Sequence, residues 1–215
     1  AAADKAGRVC MPAHNYIYAP ALRRAKQHLE AGDYGKVSGM WMMFNIQVGE
    51  DWGHAYGPVV PELCIHHVYS AIHFLGRPSR VTAVGSNVHF ETIDVADQTA
   101  IVCEFPSGAI ANLWGGVAAN DPTSDPWTVL YKILGTKGGF SFSWNESHFV
   151  HDKPIFGIAP YADSFLYELE YFVNECIAKG AAPLSSLDDA IDSLSVLEAV
   201  QTSLEGGGLV AVDYG

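Results

Sequence analysis

A carboxylate and an imidazole stand four residues apart in the sequence, at Glu62 and His66. Pro61 marks a position where a helix can begin, and Gly76 with a proline two residues later marks where it would end. Residues four apart on a helix lie on one face, one turn from each other. A carboxylate beside a histidine orients the ring and raises its proton affinity, which suits general acid–base catalysis. An ordinary ion pair on a buried helix is the alternative interpretation.

The segment Glu62-Leu63-Cys64-Ile65-His66, followed by Gly76 and Pro78, resembles the Asp-x-x-x-His segment of a known enzyme family. This is the glucose–fructose oxidoreductase / inositol dehydrogenase / rhizopine-catabolism (Gfo/Idh/MocA) family. There the histidine acts as acid and base on a sugar hydroxyl, and the acidic residue positions substrate and histidine. The resemblance therefore implies catalytic roles for His66 and Glu62. Glutamate replaces the usual aspartate, and the usual preceding glycine run is reduced to Gly57-Pro58.

The resemblance also implies a domain organisation. Members pair an N-terminal Rossmann domain with a C-terminal substrate domain and oxidise the secondary alcohol of a sugar, polyol or inositol with NAD or NADP. Residues 1–13, with a short buried strand at 8–11, are expected to be the end of the Rossmann domain. Residues 14–215 are expected to form the substrate-binding and oligomerisation domain. Neither a glycine-rich dinucleotide fingerprint nor the family's Glu-Lys-Pro occurs in the sequence. We therefore expect this chain alone to bind no nicotinamide cofactor.

Further polar and aromatic residues are candidates for substrate contact, by analogy with the family or because aromatic rings stack on sugars. They are His14, Asn15, Tyr16, Trp52, His54 and His67. The first three follow the predicted first strand, and Trp52 and His54 belong to a predicted loop at 51–56. Helix capping and core packing are the alternative roles for each.

Alternating and helical hydrophobic patterns predict an α+β fold, with a large, mainly antiparallel open sheet and helices packed on one face. Strands are predicted at 38–48, 80–90, 98–105, 109–117, 127–134, 139–144 and 209–214. Helices are predicted at 20–31, 61–75, 163–179 and from 186 to about 206, the last two with apolar stripes facing the core. The uncovered sheet face is a candidate interface for a homodimer or homotetramer.

Composition excludes several classes of partner. The net charge of −12 argues against nucleic acid and anionic membrane surfaces. No apolar run reaches the roughly 18 residues that a membrane span needs. The four cysteines lack the spacing of a zinc site or a disulfide framework, so we expect no metal and a reducing, cytoplasmic location.

Three other functions remain open. A metal-dependent lyase or isomerase would use Glu62, His66 and His67, although adjacent helical histidines point roughly 100° apart. A non-catalytic sensor or assembly subunit is the second. The third is a glycoside-processing enzyme that oxidises its sugar only transiently.

Overall fold

A computed structural model of the chain describes residues 2–120, 129–144, 147–149 and 161–215. The helices are α1 Ala2–Ala6, α2 Pro20–Glu30, α3 Glu50–Tyr56, α4 Ile65–Leu75, α5 Tyr161–Tyr171 and α6 Leu187–Gly206. A 3-10 turn covers Asn15–Tyr18, and π-helical turns cover Val60–Cys64 and Phe172–Ile177. The strands are β1 Val37–Asn45, β2 Arg80–Ser86, β3 Gln98–Glu104, β4 Ile110–Gly116, β5 Val129–Gly135, β6 Gly139–Phe142, β7 Ser147–Phe149 and β8 Val210–Ala211.

The described strands form one sheet in the order β7-β6-β5-β1-β4-β3-β2-β8. Strands β1 and β4 are parallel, with Met42 opposite Leu113, and the other neighbours are antiparallel. The predicted α+β fold with a mainly antiparallel open sheet is confirmed. The predicted start of β5 at residues 127 and 128 lies outside the described residues.

Alternation along β1 separates the two faces of the sheet. Met40, Met42 and Phe44 are buried, whereas Trp41 between them is 44% exposed. Successive side chains of a strand point to opposite faces, so one face carries the core and the other stays open. Helix α6 packs on β2, and α4 packs on β4. The helices therefore cover one face, as predicted.

The central helix begins and ends where the sequence predicts. Pro61 lies in the first π-helical turn, and Gly76 closes α4 with a φ of 82° while its N–H donates to Ile72. The start of this helix approaches β4 at Gly115. A Cβ atom there would lie 2.8 Å from the sulfur of Cys64 and 3.3 Å from a methyl carbon of Leu63. A glycine inside a strand is needed here because another element approaches its backbone closely.

Gly115→Ala is expected to lower the free energy of unfolding by about 1–3 kcal/mol, the usual cost of overpacking a core. Gly206→Ala is the control, because a Cβ there meets no atom within 4 Å. Alanine also favours a helix over glycine, so the control should be neutral or stabilising by up to about 1 kcal/mol. Urea unfolding measures both. Equal stability of Gly115→Ala and the unmodified protein would contradict the close approach.

Two local predictions were wrong. Residues 51–56 form part of α3 and not a loop. Gly49 precedes this helix, and the acidic Glu50 and Asp51 lie in its first turn, where negative charge interacts favourably with the positive end of the helix dipole. Residues 8–11 form no strand, and Val9 and Cys10 are exposed. Among the described residues no strand lies beside this segment to supply backbone partners.

The two predicted apolar stripes face the core only in part: Leu197 and Cys176 are buried, and Leu204 packs against the core. The buried side of α6 includes Ser193, Val196 and Val200, while several apolar residues predicted to face the core are at least 42% exposed. These exposed residues are Phe165, Leu166, Leu169, Val173, Ile177, Leu187, Ile191 and Leu194. An apolar stripe shows that one side of a helix avoids water, but it does not say what covers that side.

Within the described part of the chain, no helix is long and apolar enough to cross a bilayer. The four cysteines are free thiols, and three of them are buried.

Candidate active site

A cavity of about 140 Å³ lies where the start of the central helix meets β1 and α3. It is lined by Tyr16, Phe44, Ile46, Val48, Trp52, Glu62, Leu63, His66 and Val117. The structure thus brings together four residues that the sequence singled out: Tyr16, Trp52, Glu62 and His66. The other described residues that line it are aromatic or aliphatic, so Glu62 supplies the carboxylate and His66 the imidazole of this set.

Glu62 and His66 both line this cavity but are not bonded to each other. Glu62 belongs to the π-helical turn and is exposed, while His66 lies in the first turn of α4 and is partly buried. No hydrogen bond or ion pair joins them within the described residues. The wider turn of a π-helix alters the spacing that a regular α-helix would give to residues four apart.

His66 is held instead by two tyrosines. Its Nδ1 lies 2.8 Å from the Tyr69 hydroxyl. The Tyr16 ring stacks on the imidazole at 4.5 Å between centroids, with 16° between the planes. No residue in the described part of the chain hydrogen-bonds to Nε2. The ring therefore has one anchored nitrogen and one nitrogen available to a ligand in the cavity.

Burial lowers the pKa of His66 to about 3, and the neighbouring His67 and His14 act in the same direction. The expectation that a carboxylate raises the basicity of this ring is therefore wrong, since removal from water dominates the pKa and no opposing effect of Glu62 is present. At neutral pH the imidazole is uncharged. An uncharged imidazole has a lone pair with which to accept a proton.

His14 and Asn15 lie behind His66 and do not line the cavity. His14 stacks on the Tyr69 ring at 4.1 Å, and its Nδ1 lies 2.7 Å from the Ser185 hydroxyl. Burial lowers the pKa of His14 to about 4, against the opposing effect of Asp189. The Asn15 side chain spans from Ser164 to Tyr69. Both residues support the site from behind in this structure.

His67 and His54 lie away from the cavity. His67 is completely buried, its Nδ1 is 3.2 Å from the Leu63 carbonyl, and burial lowers its pKa to about 4. It points into the core, as expected for the neighbour of a cavity-facing helical residue. His54 is exposed on α3, 3.3 Å from the Thr92 hydroxyl.

The loop between β2 and β3 supports the Trp52 side of the cavity. Phe90 packs against Gly53, where a Cβ atom would come within 2.9 Å of its ring. His89 Nε2 lies 2.8 Å from the Val48 carbonyl. The buried Asp97 carboxylate accepts hydrogen bonds from the backbone N–H groups of residues 88, 89 and 90. Asp97 therefore holds the loop that supports the wall of the cavity.

Sequence reasoning missed Tyr69 and Asp97. Tyr69 stands three residues after His66, a spacing that places two side chains on one helix face, so the sequence contained a signal for it. No local sequence pattern predicts the role of Asp97, because its hydrogen-bond partners depend on how the loop between β2 and β3 folds back.

The described residues do not supply a complete site for a metal or a dinucleotide. No group of three or more His, Cys, Asp or Glu side chains among them is arranged to hold a metal ion. No glycine-rich turn between a strand and a helix is present to cradle a pyrophosphate in the described part.

The chain resembles known dehydrogenases over nearly its whole length. It is 26% identical to scyllo-inositol 2-dehydrogenase (NAD(+)) of Bacillus subtilis (strain 168), over 96% of this chain and 64% of that protein. It therefore spans less than two thirds of the length of this relative. Levoglucosan dehydrogenase in complex with NADH and levoglucosan has the same fold, with a TM-score of 0.81, 20% identity, and coverage of 97% of this chain and 67% of that one. An NAD binding oxidoreductase from Klebsiella pneumoniae is equally similar, with a TM-score of 0.81, 21% identity, and coverage of 99% and 68%.

The profile of one domain family matches residues 22–141, which include β1, the central helix and the strands up to β6. This region contains Glu62, His66 and most of the cavity. The chain therefore belongs to the GFO/IDH/MocA C-terminal domain family.

Proposed function

We propose that this chain is the substrate domain of an NAD(P)-dependent oxidoreductase that oxidises a secondary alcohol of a sugar, polyol or inositol. The observation that supports this most directly is the geometry of His66, whose Nδ1 is hydrogen-bonded to Tyr69 while its Nε2 is open to a cavity shared with Glu62. Such a nitrogen accepts the hydroxyl proton as the alcohol becomes a carbonyl. The names of the relatives, scyllo-inositol 2-dehydrogenase and levoglucosan dehydrogenase, support the substrate class.

In this proposal, different residues of the chain bind the substrate and transfer the proton. His66 takes the hydroxyl proton at Nε2, and a nicotinamide bound outside this chain would serve as the acceptor of the hydride from the alcohol carbon. The Glu62 carboxylate stabilises the imidazolium that forms, and it accepts hydrogen bonds from substrate hydroxyls. Trp52 and Tyr16 contact the faces of the sugar ring. His14 and Asn15 keep the tyrosines in place, and His54 and His67 lie outside this contact set.

In this proposal NAD or NADP binds to a dinucleotide-binding domain outside these 215 residues, and residues 1–13 are the end of that domain. The 64% coverage of the Bacillus subtilis relative supports it. The exposed apolar side chains on α5 and α6 support it as well, because contiguous exposed apolar side chains are typical of surfaces that contact another protein surface.

The experiment is a turnover assay on the intact protein that contains this chain. Inositols, anhydrosugars, open-chain polyols and aldoses are supplied with NAD or NADP, and the absorbance of reduced nicotinamide is followed. Reduction with at least one substrate class is expected. Substrate consumption without net reduction, or dependence on an added metal, would contradict the proposal and favour the lyase alternatives.

The open face of the sheet is the proposed interface of a homodimer or homotetramer. A row of apolar side chains crosses it at paired positions of β5, β1, β4, β3 and β2: Leu130, Met43, Trp114, Ala100 and Val84. Trp41 on the same face is 44% exposed. Light scattering at micromolar concentration should show a dimer or tetramer. Trp114→Lys should shift it towards the monomer, whereas a monomeric unmodified protein would contradict the interface.

A further inference from the structure

The hydroxyl of Tyr69 sits at the centre of a buried hydrogen-bond network. Only 2% of Tyr69 is exposed. Its oxygen lies 3.2 Å from the Tyr16 backbone nitrogen, 3.2 Å from Asn15 Oδ1 and 2.8 Å from His66 Nδ1. A tyrosine hydroxyl has one proton to donate and two lone pairs to accept with, so three partners use its full capacity.

The chemistry of two partners decides the role of the third. The Tyr16 N–H only donates, so it takes one lone pair of the phenolic oxygen. Asn15 donates through Nδ2 to the Ser164 hydroxyl at 2.9 Å, which turns its carbonyl oxygen towards Tyr69. That oxygen only accepts, so the phenolic proton points to Asn15. One lone pair is left for His66, and Nδ1 must therefore carry a proton.

We infer that Tyr69 is a positioning residue that holds His66 in the Nδ1–H tautomer and leaves Nε2 as a bare lone pair facing the cavity. The same hydrogen bond persists when a proton arrives at Nε2, because Nδ1 donates in both the neutral and the charged ring. The network does not reorganise during proton uptake, and such preorganisation favours catalysis.

Ring stacking keeps both partners of this hydrogen bond in place. His14 stacks on Tyr69 with 12° between the planes, and Tyr16 stacks on His66 with 16°. The Ser185 hydroxyl anchors His14 at 2.7 Å. Burial also raises the pKa of Tyr69 well above its ordinary value, so the phenol keeps its proton. Together these contacts explain why a tyrosine beneath the histidine serves as a fixed acceptor.

Nitrogen-15 NMR of the unmodified 215-residue chain, labelled at histidine, tests this without cofactor or turnover. We expect His66 at neutral pH to show a pyrrole-type Nδ1 and a pyridine-type Nε2, with the signals assigned by their loss in His66→Gln. Tyr69→Phe should abolish this preference and give averaged shifts. Tyr214→Phe is the control, since it removes a tyrosine hydroxyl that donates to the Pro78 carbonyl at 2.7 Å and has no hydrogen bond to this network. An Nε2–H tautomer in the unmodified chain would overturn the inference even if no Tyr69 variant folds.

A second experiment measures turnover and therefore rests on the proposed function. In the intact enzyme, Tyr69→Phe should lower kcat about 10-fold with little change in KM, because one oriented hydrogen bond is lost while the cavity keeps its shape. An unchanged kcat would contradict the positioning role. If no substrate is turned over at all, the proposed function fails, whereas the tautomer in the NMR spectrum still stands by itself.

Discussion

His66→Ala in the intact oxidoreductase is expected to lower turnover about 10²–10⁴-fold, the usual loss when a general base is removed. Among the described residues that line the cavity there is no second imidazole, and Glu62 forms no hydrogen bond with the His66 ring. Cofactor affinity should stay the same, because the chain supplies no dinucleotide site among its described residues. Steady-state kinetics with a cofactor-binding titration measures both quantities.

Two neighbouring variants serve as controls for this result. His67→Ala should affect turnover little, although it removes a buried ring and costs stability. Glu62→Gln should lower turnover less than His66→Ala, since it keeps the shape of the side chain but removes the charge that stabilises the imidazolium. If the His67 variant were as inactive as the His66 variant, the assignment of proton transfer to His66 would be contradicted. Near-normal turnover of His66→Ala would show that His66 is not the general base and would contradict the proposed role of this helix.

Asp97→Ala is expected to lower the free energy of unfolding by about 2–4 kcal/mol. The change removes the carboxylate that accepts from three backbone N–H groups, although the Phe90 N–H keeps Asn87 Oδ1 as a second acceptor at 3.1 Å. A backbone N–H that is left buried and unsatisfied costs about 1–3 kcal/mol. The three N–H groups belong to Val88, His89 and Phe90, at 2.9, 2.6 and 3.2 Å from Asp97 Oδ2. Urea unfolding monitored by tryptophan fluorescence measures the loss.

Two further substitutions, one conservative and one at an exposed position, serve as controls for this prediction. Asp97→Asn keeps an acceptor oxygen and should cost less than Asp97→Ala. Asp94→Ala, three residues earlier on the surface of the same loop, should stay within about 0.5 kcal/mol of the unmodified protein. Equal stability of Asp97→Ala and Asp94→Ala would show that the loop does not depend on the buried carboxylate. Because the loop packs against Gly53 and reaches Val48, the Asp97 variants should also weaken substrate binding.

Local patterns predicted most of the secondary structure. Pro20, Pro61 and Gly76 marked helix ends correctly, and Ser186 forms a capping box with Asp189 at the start of α6. These signals are reliable because they depend on the backbone conformation and hydrogen bonding of a few adjacent residues. The helix α3 was missed because its seven residues, three of them aromatic or histidine, carry no repeating apolar pattern.

The sequence alone determined the family resemblance, the mainly antiparallel sheet and the pair Glu62 and His66. It did so because periodicity, end signals and motif spacing are properties of neighbouring residues. Only the tertiary structure decided that the partner of the His66 ring is Tyr69 and not Glu62, and that burial lowers the pKa of His66 to about 3. Each of these depends on which surfaces exclude water and on residues as distant as Asn15 and Ser164, whose approach no local pattern records.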